Sequence, residues 1–289
     1  MKTIGFRRAS LRSASVLAVL AFSFVPLAAK EPKLTAGELV TKHLASIGTP
    51  QAIAEIHSRA VGGPAQVVFR LPNAGQTTGK GVLLSDGKKL AINMAFAAID
   101  FPQEHFAFDG NQVTAGFVRT GQRSLLGSFV YRFDVLMKEG LLGGTMTTAW
   151  ALFDVPGRQP KLDYTGLKKF EGRQLHELKY RAKKWSGDLT VSLYFDPETF
   201  RHLHTKIRMS QPIDLGKQPG EGAIARELVH TLVESYDDFR AEGSLTIPHS
   251  YKLVETLEGQ DASVLREYTI TADQVADNQA LEPKLFSVQ

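Results

Sequence analysis

Alternating apolar and polar positions recur along most of the sequence and predict a β-rich protein. Residues 189–195 (LTVSLYF) alternate strictly, a DPET turn follows, and residues 201–209 alternate again. Proline fixes its own φ and aspartate can hydrogen-bond the turn backbone, so this turn should join two antiparallel strands. Residues 227–236 and 245–253 continue the pattern, which predicts a four-stranded meander in which each strand has one apolar face.

The N-terminal half carries the same signal in shorter strands joined by glycine-containing turns. Asp86-Gly87 and Asp109-Gly110 lie between alternating segments, where glycine can adopt the positive φ that tight hairpins need. The strands predicted in this half are 65–71, 79–84, 89–97, 104–108 and 112–118.

Further strands are predicted at residues 161–170, 174–181 and 264–271, which brings the total to about eleven. Strands do not alternate with helices as they would in a parallel sheet. The expected fold is therefore mainly β with some α: a single curved antiparallel sheet, an incomplete β-barrel, wrapped over helices. We expect one domain over residues 30–289, with a short helical tail after residue 272.

Two stretches have helical spacing and are candidates to cover the sheet. Thr35 and Glu38 form a capping-box pattern at the start of an amphipathic helix that should stop at Gly48, and a short helix should follow from Pro50. Residues 125–153 repeat apolar side chains at helical spacing, contain a glycine-rich centre, and are the least polar part of the chain after residue 29.

The segment 125–153 has two interpretations, a packed core element or a lid over a ligand cavity. Paired glycines are unusual in a rigid core helix, and the segment interrupts a sheet that needs a cover. The lid interpretation predicts an apolar ligand site formed by strand and lid side chains: Phe69, Ile92, Met94, Phe96, Phe117, Leu136, Met137, Leu141, Met146 and Trp150.

Residues 1–29 have the order of a cleavable export signal. Basic residues precede an apolar run that is short for a membrane span, and small residues follow it. The chain has 34 basic and 30 acidic residues, and removing the four basic residues of the signal leaves 30 of each sign. This balance speaks against a nucleic-acid partner, which requires a basic surface. The chain contains no cysteine, so disulfides and thiol chemistry are excluded. We expect a periplasmic or secreted protein.

Candidate catalytic and metal-binding residues are few and poorly arranged. His202 and His204 should share a strand face with Lys206 and Arg208, whose charge opposes a cation, so a solvated outer face is expected there. Asp237 and Asp238 are adjacent and should point to opposite sides of a strand. No nucleophile elbow, phosphate loop or zinc-protease motif occurs. We expect no catalytic residue, no metal site and no cofactor.

Several segments together resemble exported proteins of the outer-membrane lipoprotein-sorting type, which have the fold of the carrier LolA and its receptor LolB. They are LVTKHLASIG (39–48), EGLLGG (139–144), FDPET (195–199), SYDDFRAEG (235–243) and IPH (247–249). The resemblance implies an incomplete β-barrel with helices over its open face and an apolar cavity between them. In the carriers of this family the cavity holds lipid acyl chains.

The function expected from these observations is non-catalytic binding or transport of a lipid or other hydrophobic small molecule. Envelope proteins are possible further partners, and a monomer is expected. Two alternatives stay open: a secreted hydrolase-like enzyme whose site combines His202, His204 and Asp237, and a periplasmic scaffold with a filled core.

Overall fold

A single antiparallel sheet of thirteen strands is the main element of the protein. The computed structural model describes residues 34–185, 189–213, 226–259 and 263–288. The predicted export signal, residues 1–29, and most of the predicted 211–222 crossing lie outside these ranges. Within them, no helix has the length and apolar character needed to cross a membrane.

The strands follow one another across the sheet in two meanders. The first contains β1 (Ser58–Leu71), β2 (Gly75–Asp86), β3 (Lys89–Phe96), β4 (Gln103–Phe108) and β5 (Val113–Ala115). The second contains β6 (Lys161–Phe170), β7 (Arg173–Arg181), β8 (Leu189–Phe195), β9 (His202–Ile213), β10 (Arg226–Glu242), β11 (Leu245–Glu258) and β12 (Ser263–Thr271), followed by β13 (Gln274–Asp277).

The two meanders meet at β1, which pairs with β2 along one side. Along its other side, β1 pairs with β13 over Arg59–Gly62 and with β12 from Ala65 onward. The path ends at β5 and β6, which do not pair with each other, so the sheet is open. The expected mainly β fold, an antiparallel sheet not closed into a barrel, is confirmed.

Five helices are described: α1 (Ala36–Ile47), α2 (Pro50–Ala54), α3 (Leu125–Arg132), α4 (Val135–Lys138) and α5 (Val155–Arg158). Three 3-10 turns complete the elements, at Gly144–Met146, Ala151–Asp154 and Pro283–Phe286. Side chains of α1, α3 and α4 share one buried core with one face of the sheet, called here the inner face. The helical cover expected from the sequence is therefore present on that face.

Helix α1 starts as its sequence predicts. Thr35 accepts from the backbone N–H of Glu38, and the Glu38 carboxylate accepts from the backbone N–H of Thr35 at 2.8 Å. These reciprocal bonds satisfy backbone donors that a helix start leaves free. Leu39, Val40 and His43 then face the core.

Three element predictions need correction. The helical stretch expected from residue 125 to Gly140 is broken after Arg132, where α3 ends, and α4 begins three residues later at Val135. The tail expected to be helical instead forms β13 against β1, with a 3-10 turn beyond it. Strand β1 begins seven residues before the predicted 65–71, because Gly62, Gly63 and Pro64 remain paired with β2.

The predicted outward position of His202 is also wrong. Tyr194 pairs with His204, but Phe195 pairs with His202, so β9 carries one extra residue at Leu203. Such a bulge reverses the alternation beyond it. His202 is fully buried, and Leu203 packs in a separate outer cluster with Leu175 and Tyr194.

Candidate functional site

Residues 125–153, called here the lid segment, pack against the inner face. Of the ten residues expected to line a ligand site, eight are buried together in the main core: Ile92, Met94, Phe96, Leu136, Met137, Leu141, Met146 and Trp150. Phe69 is half-buried at the margin of that core. Phe117 lies apart, 46% exposed, with the Arg123 guanidinium 4.6 Å from its ring centre.

A buried carboxylate holds the start of the lid segment. Ser124, the N-cap of α3, accepts from the Gly127 N–H and donates to Glu104 Oε2, both at 2.7 Å. Tyr268 donates to the other oxygen, Glu104 Oε1, at 3.1 Å. Burial raises the pKa of Glu104 to about 8, with a further contribution from the neighbouring Glu255.

A second buried carboxylate holds the glycine-rich centre of the lid segment. Glu234 Oε1 accepts from the Gly143 N–H and from the Tyr251 hydroxyl, both at 2.8 Å. Burial raises the pKa of Glu234 to about 7. Both carboxylates therefore link the lid segment to the inner face of the sheet.

The strand periodicity of the sequence places these acidic residues, and a third one, at core positions. Glu104, Glu234 and Glu255 occupy positions of the two-residue repeat whose other members are buried apolar or aromatic residues, such as Phe106 and Leu253. An ionisable side chain at a core position of a strand is uncommon unless it is paired. The three positions could have been identified by this rule.

His202 and His43 surround the lid residue Trp150. The His202 ring stacks on the indole with centroids 4.5 Å apart, and Trp150 Nε1 donates to His43 Nε2 at 3.0 Å. His43 Nδ1 consequently donates to the Phe200 carbonyl at 3.1 Å. Burial lowers the pKa of His43 to about 4 and that of His202 well below its ordinary value, so both rings are neutral near pH 7.

The residues of the hydrolase alternative do not converge. His202 faces the core, whereas His204 lies on the outer face beside Phe170, and Asp237 is exposed. His204 Nδ1 is 2.9 Å from Ser235 Oγ, a pair that the sequence did not suggest. Among the residues that the structure describes, no group of three or more histidine and acidic side chains could hold a metal ion.

An apolar groove of about 500 Å³ lies beside α1 and α2. Thr41, Arg59 and Thr148 are the polar side chains among its lining residues. Apolar side chains of both helices, the end of the lid segment and the start of β11 form its walls: Leu44, Ala45, Ile53, Ala54, Phe153 and Leu245. The size and composition fall within the range of small-molecule sites.

A smaller, more polar depression of about 280 Å³ continues from the groove. The two cavities share Ile56, Thr148 and Phe153. In the depression Lys88 Nζ lies 2.7 Å from an Asp154 carboxylate oxygen. Together the cavities form a trough that is apolar at one end and charged at the other.

The wall of the groove is connected directly to the centre of the lid segment. Arg59 is 2% exposed and forms two hydrogen bonds with Asp277, at 2.6 and 3.0 Å. Its remaining nitrogen, Nη1, donates to the Thr145 carbonyl at 3.3 Å. Thr148 N–H in turn donates to Ser85 Oγ at 2.8 Å.

Comparison with solved structures gives matches over most of the chain at low identity. A domain described as outer membrane lipoprotein-sorting, from Vibrio parahaemolyticus, is 10% identical with a TM-score of 0.45, covering 86% of this chain and 97% of that one. A LolA superfamily protein from Nitrosomonas europaea is 13% identical with a TM-score of 0.47, and the match covers 88% of this chain and 98% of that one. A complex of MucA and MucB from Pseudomonas aeruginosa is 8% identical with a TM-score of 0.24. This match covers 85% of this chain and 99% of that one.

No protein-family model and no curated protein matches the chain. The structural matches are well below 25% identity and concern the fold alone. The first two of these proteins are described with the same group, lipoprotein-sorting proteins of the LolA type, that the sequence resembles.

Proposed function

We propose that this protein is exported and binds a hydrophobic small molecule or lipid without catalysing a reaction. The observation that carries the proposal is the apolar groove of about 500 Å³ between the helical cover and the start of β11. Removing apolar surface from water contributes about 25 cal/mol per Å². A ligand lying along Leu44, Ile53 and Phe153 would gain this free energy without first unfolding any part of the protein.

The groove also offers a route beneath the lid segment. Arg59 joins the groove wall to the Thr145 carbonyl, and Thr148 lines both cavities. If residues 143–148 move away from the sheet, a long ligand can extend from the groove onto core residues such as Ile92, Met146 and Trp150. The eight expected residues that share the main core then form the inner part of the site, and Phe117 is not part of it.

An unpaired polar atom of the lid segment reduces the free energy needed for that movement. Thr145 Oγ1 is buried without a hydrogen-bond partner in the described part of the chain. A buried unsatisfied polar group destabilises the closed form by about 1–3 kcal/mol. Opening the lid segment restores this atom to water or to a ligand.

Filling the groove tests the first part of the proposal. Ala54 is exposed on α2 and lines the groove, so Ala54→Trp should occupy the cavity without disturbing the core. We expect the affinity for a fluorescent fatty-acid probe to fall at least about tenfold, the equivalent of 1.4 kcal/mol. The matched control is Gln51→Trp, also exposed on α2 but outside the groove lining, which should bind like the wild type.

A reversible disulfide between the sheet and the lid segment tests the second part of the proposal, the movement of residues 143–148. Ser85 Oγ lies 2.8 Å from the Thr148 nitrogen, and the chain contains no cysteine, so Ser85→Cys with Thr148→Cys supplies the only thiols. A disulfide there fixes the lid segment to the sheet. Oxidation should lower probe affinity and reduction should restore it, while each single cysteine variant should be insensitive to both treatments.

Equal probe binding by the oxidised and reduced double variant would confine the ligand to the groove. Absence of saturable binding by the wild type, measured with fatty-acid, alcohol and amine probes, would overturn the proposed function altogether.

A further inference from the structure

The depression that continues from the groove is lined by charged side chains of both signs. Lys88 and Arg158 supply positive charge, and Asp86 and Asp154 supply negative charge. The groove beside it is mainly apolar, and the two cavities share lining residues. A ligand that spans both cavities therefore needs an apolar part for the groove and a polar part that meets both signs of charge.

Arg158 is a cation that the backbone of the lid segment holds in place. Its Nη1 and Nη2 donate to the carbonyls of Lys138 and Ala149, at 2.7 and 3.0 Å. Its Nε–H is buried without a hydrogen-bond partner in the described part of the chain. The carbonyls fix the guanidinium but carry no full charge, so Arg158 keeps its positive charge for an anionic group.

Lys88 and Asp154 form an ion pair at the surface of the depression. Lys88 Nζ lies 2.7 Å from Asp154 Oδ2, and the two side chains are 57 and 38% exposed. The Lys88 hydrogen bond lowers the pKa of Asp154, so this carboxyl is ionised at neutral pH. Exposed ion pairs contribute little to stability because water solvates both charges. Each partner can therefore turn to an opposite charge on a ligand.

The two signs of charge favour a head group that carries both. A phosphate has several acceptor oxygens and suits two cations, here Lys88 and Arg158. An ammonium group has only donors and suits a carboxylate such as Asp154. A purely anionic head group would meet two carboxylates in the depression, and a purely cationic one would meet two cations.

We propose that the depression binds the zwitterionic head group of a single-chain phospholipid whose acyl chain lies in the groove. The phosphate binds Lys88 and Arg158, and the ammonium group binds Asp154. This inference rests on the proposed function, because the groove must hold the acyl chain. It does not require the lid segment to move, since the two cavities are already continuous.

The test compares three lipids that share one saturated acyl chain: lysophosphatidylethanolamine, lysophosphatidic acid and monoacylglycerol. Each is used below its aggregation concentration at pH 7.5, and affinity is measured by displacement of the fluorescent fatty-acid probe. We expect wild type to bind lysophosphatidylethanolamine at least about tenfold more tightly than monoacylglycerol. Lysophosphatidic acid should lie between them, because its phosphate meets the cations while its ammonium group is missing.

Two variants separate the roles of the two charges. Lys88→Gln should weaken both phosphate lipids several-fold and leave monoacylglycerol unchanged. Asp154→Asn should abolish the preference for lysophosphatidylethanolamine over lysophosphatidic acid. Asn can still accept from the Gly157 N–H, as Asp154 does at 2.9 Å, so the start of α5 is kept.

The matched control is Lys168→Gln, the same charge change at an exposed position of β6 outside both cavities. It should bind all three lipids like the wild type. Circular dichroism of each variant verifies the fold.

Equal affinity of wild type for lysophosphatidylethanolamine and monoacylglycerol would overturn the head-group assignment and leave the proposed function standing. Tighter binding of lysophosphatidic acid than of lysophosphatidylethanolamine would also overturn it, because the depression would then select an anion. Wild-type preferences in both Lys88→Gln and Asp154→Asn would do the same. If none of the lipids binds, both proposals fail.

Discussion

At the scale of single residues, the unusual feature is the number of ionisable side chains on the inner face. Glu104, Glu234 and Glu255 are buried there, as are His202 and His230. Each is placed by a strand position that otherwise carries apolar residues. Burial raises the pKa values of Glu104 and Glu234 and lowers that of His202, so these three groups couple the stability of the fold to pH.

Stability should fall as pH rises from 6.5 to 8. The folded-state pKa values of Glu104 and Glu234, about 8 and 7, lie above the ordinary carboxyl value, so the folded chain keeps protons that the unfolded chain has already released. This contribution is complete below pH 4.5 and is lost as pH rises through the folded pKa values. We expect the wild-type Tm to decrease by about 2 °C or more over this window.

Glu104→Gln should make that decrease smaller, whereas Glu55→Gln, at an exposed position on the outside of the molecule, should leave it unchanged. Differential scanning calorimetry measures both. The window stops at pH 6.5 because the lowered pKa of His43 acts in the opposite direction below that value. A wild-type Tm that rises between pH 6.5 and 8 would contradict the assignment.

Residue positions were predictable only where the strand alternation is regular. Ile92, Met94 and Phe96 follow the two-residue repeat and are buried as expected. His202 does not, because the bulge at Leu203 reverses the faces and no local sequence signal marks its position. Which buried polar groups are paired depends on contacts such as Gly143 with Glu234, 91 residues apart, which periodicity cannot reveal.

At the scale of elements, the glycines of the lid segment serve close packing in the described conformation. Gly140 has φ +65°, and a Cβ there would lie 1.7 Å from the Ala149 carbonyl oxygen. In the sequence, the paired glycines favour the lid interpretation over a rigid core helix. In the structure the backbone at Gly140 lies so close to the backbone at Ala149 that no side chain fits between them.

Gly140→Ala should therefore destabilise the protein more than an alanine at a glycine with a similar positive φ but open surroundings. Gly121 has φ +72° and nothing within 4 Å of its Cβ position, so Gly121→Ala is the matched control. The control should lose about 1–2 kcal/mol from the left-handed conformation alone. Gly140→Ala adds the clash with backbone, and urea unfolding should show a clearly larger loss. Equal losses of unfolding free energy in the two variants would contradict this prediction, because they would mean that the lid segment accommodates a side chain at Gly140 at no cost.

Elements with local signals were predictable, and elements defined by a distant partner were not. The α1 capping box and the Asp86-Gly87 turn are encoded within a few residues, and both are found. Strand β13 is four residues long and exists because β1 pairs with it from more than 200 residues away. Its sequence alone gives no reason to distinguish it from a short helix.

At the scale of the whole molecule, the antiparallel order and the open sheet followed from strand spacing and the absence of strand–helix alternation. The strand order did not, because nothing in the alternation states that the last long strand returns to the first. That pairing, from Ala65 with Ile270 to Leu71 with Leu265, joins the two meanders across the middle of the sheet.

The position of β12 has a consequence for how the chain acquires its fold. Synthesis delivers β1 long before residues 263–277, yet these late residues occupy the centre of the finished sheet. Until they arrive, β1 and β11 each present an uncovered strand edge, the kind of surface on which chains associate with one another. Pairing across 200 residues is also slow. We therefore expect the joining of the two meanders to be a late step in folding, and a factor that shields strand edges to have most effect before that step.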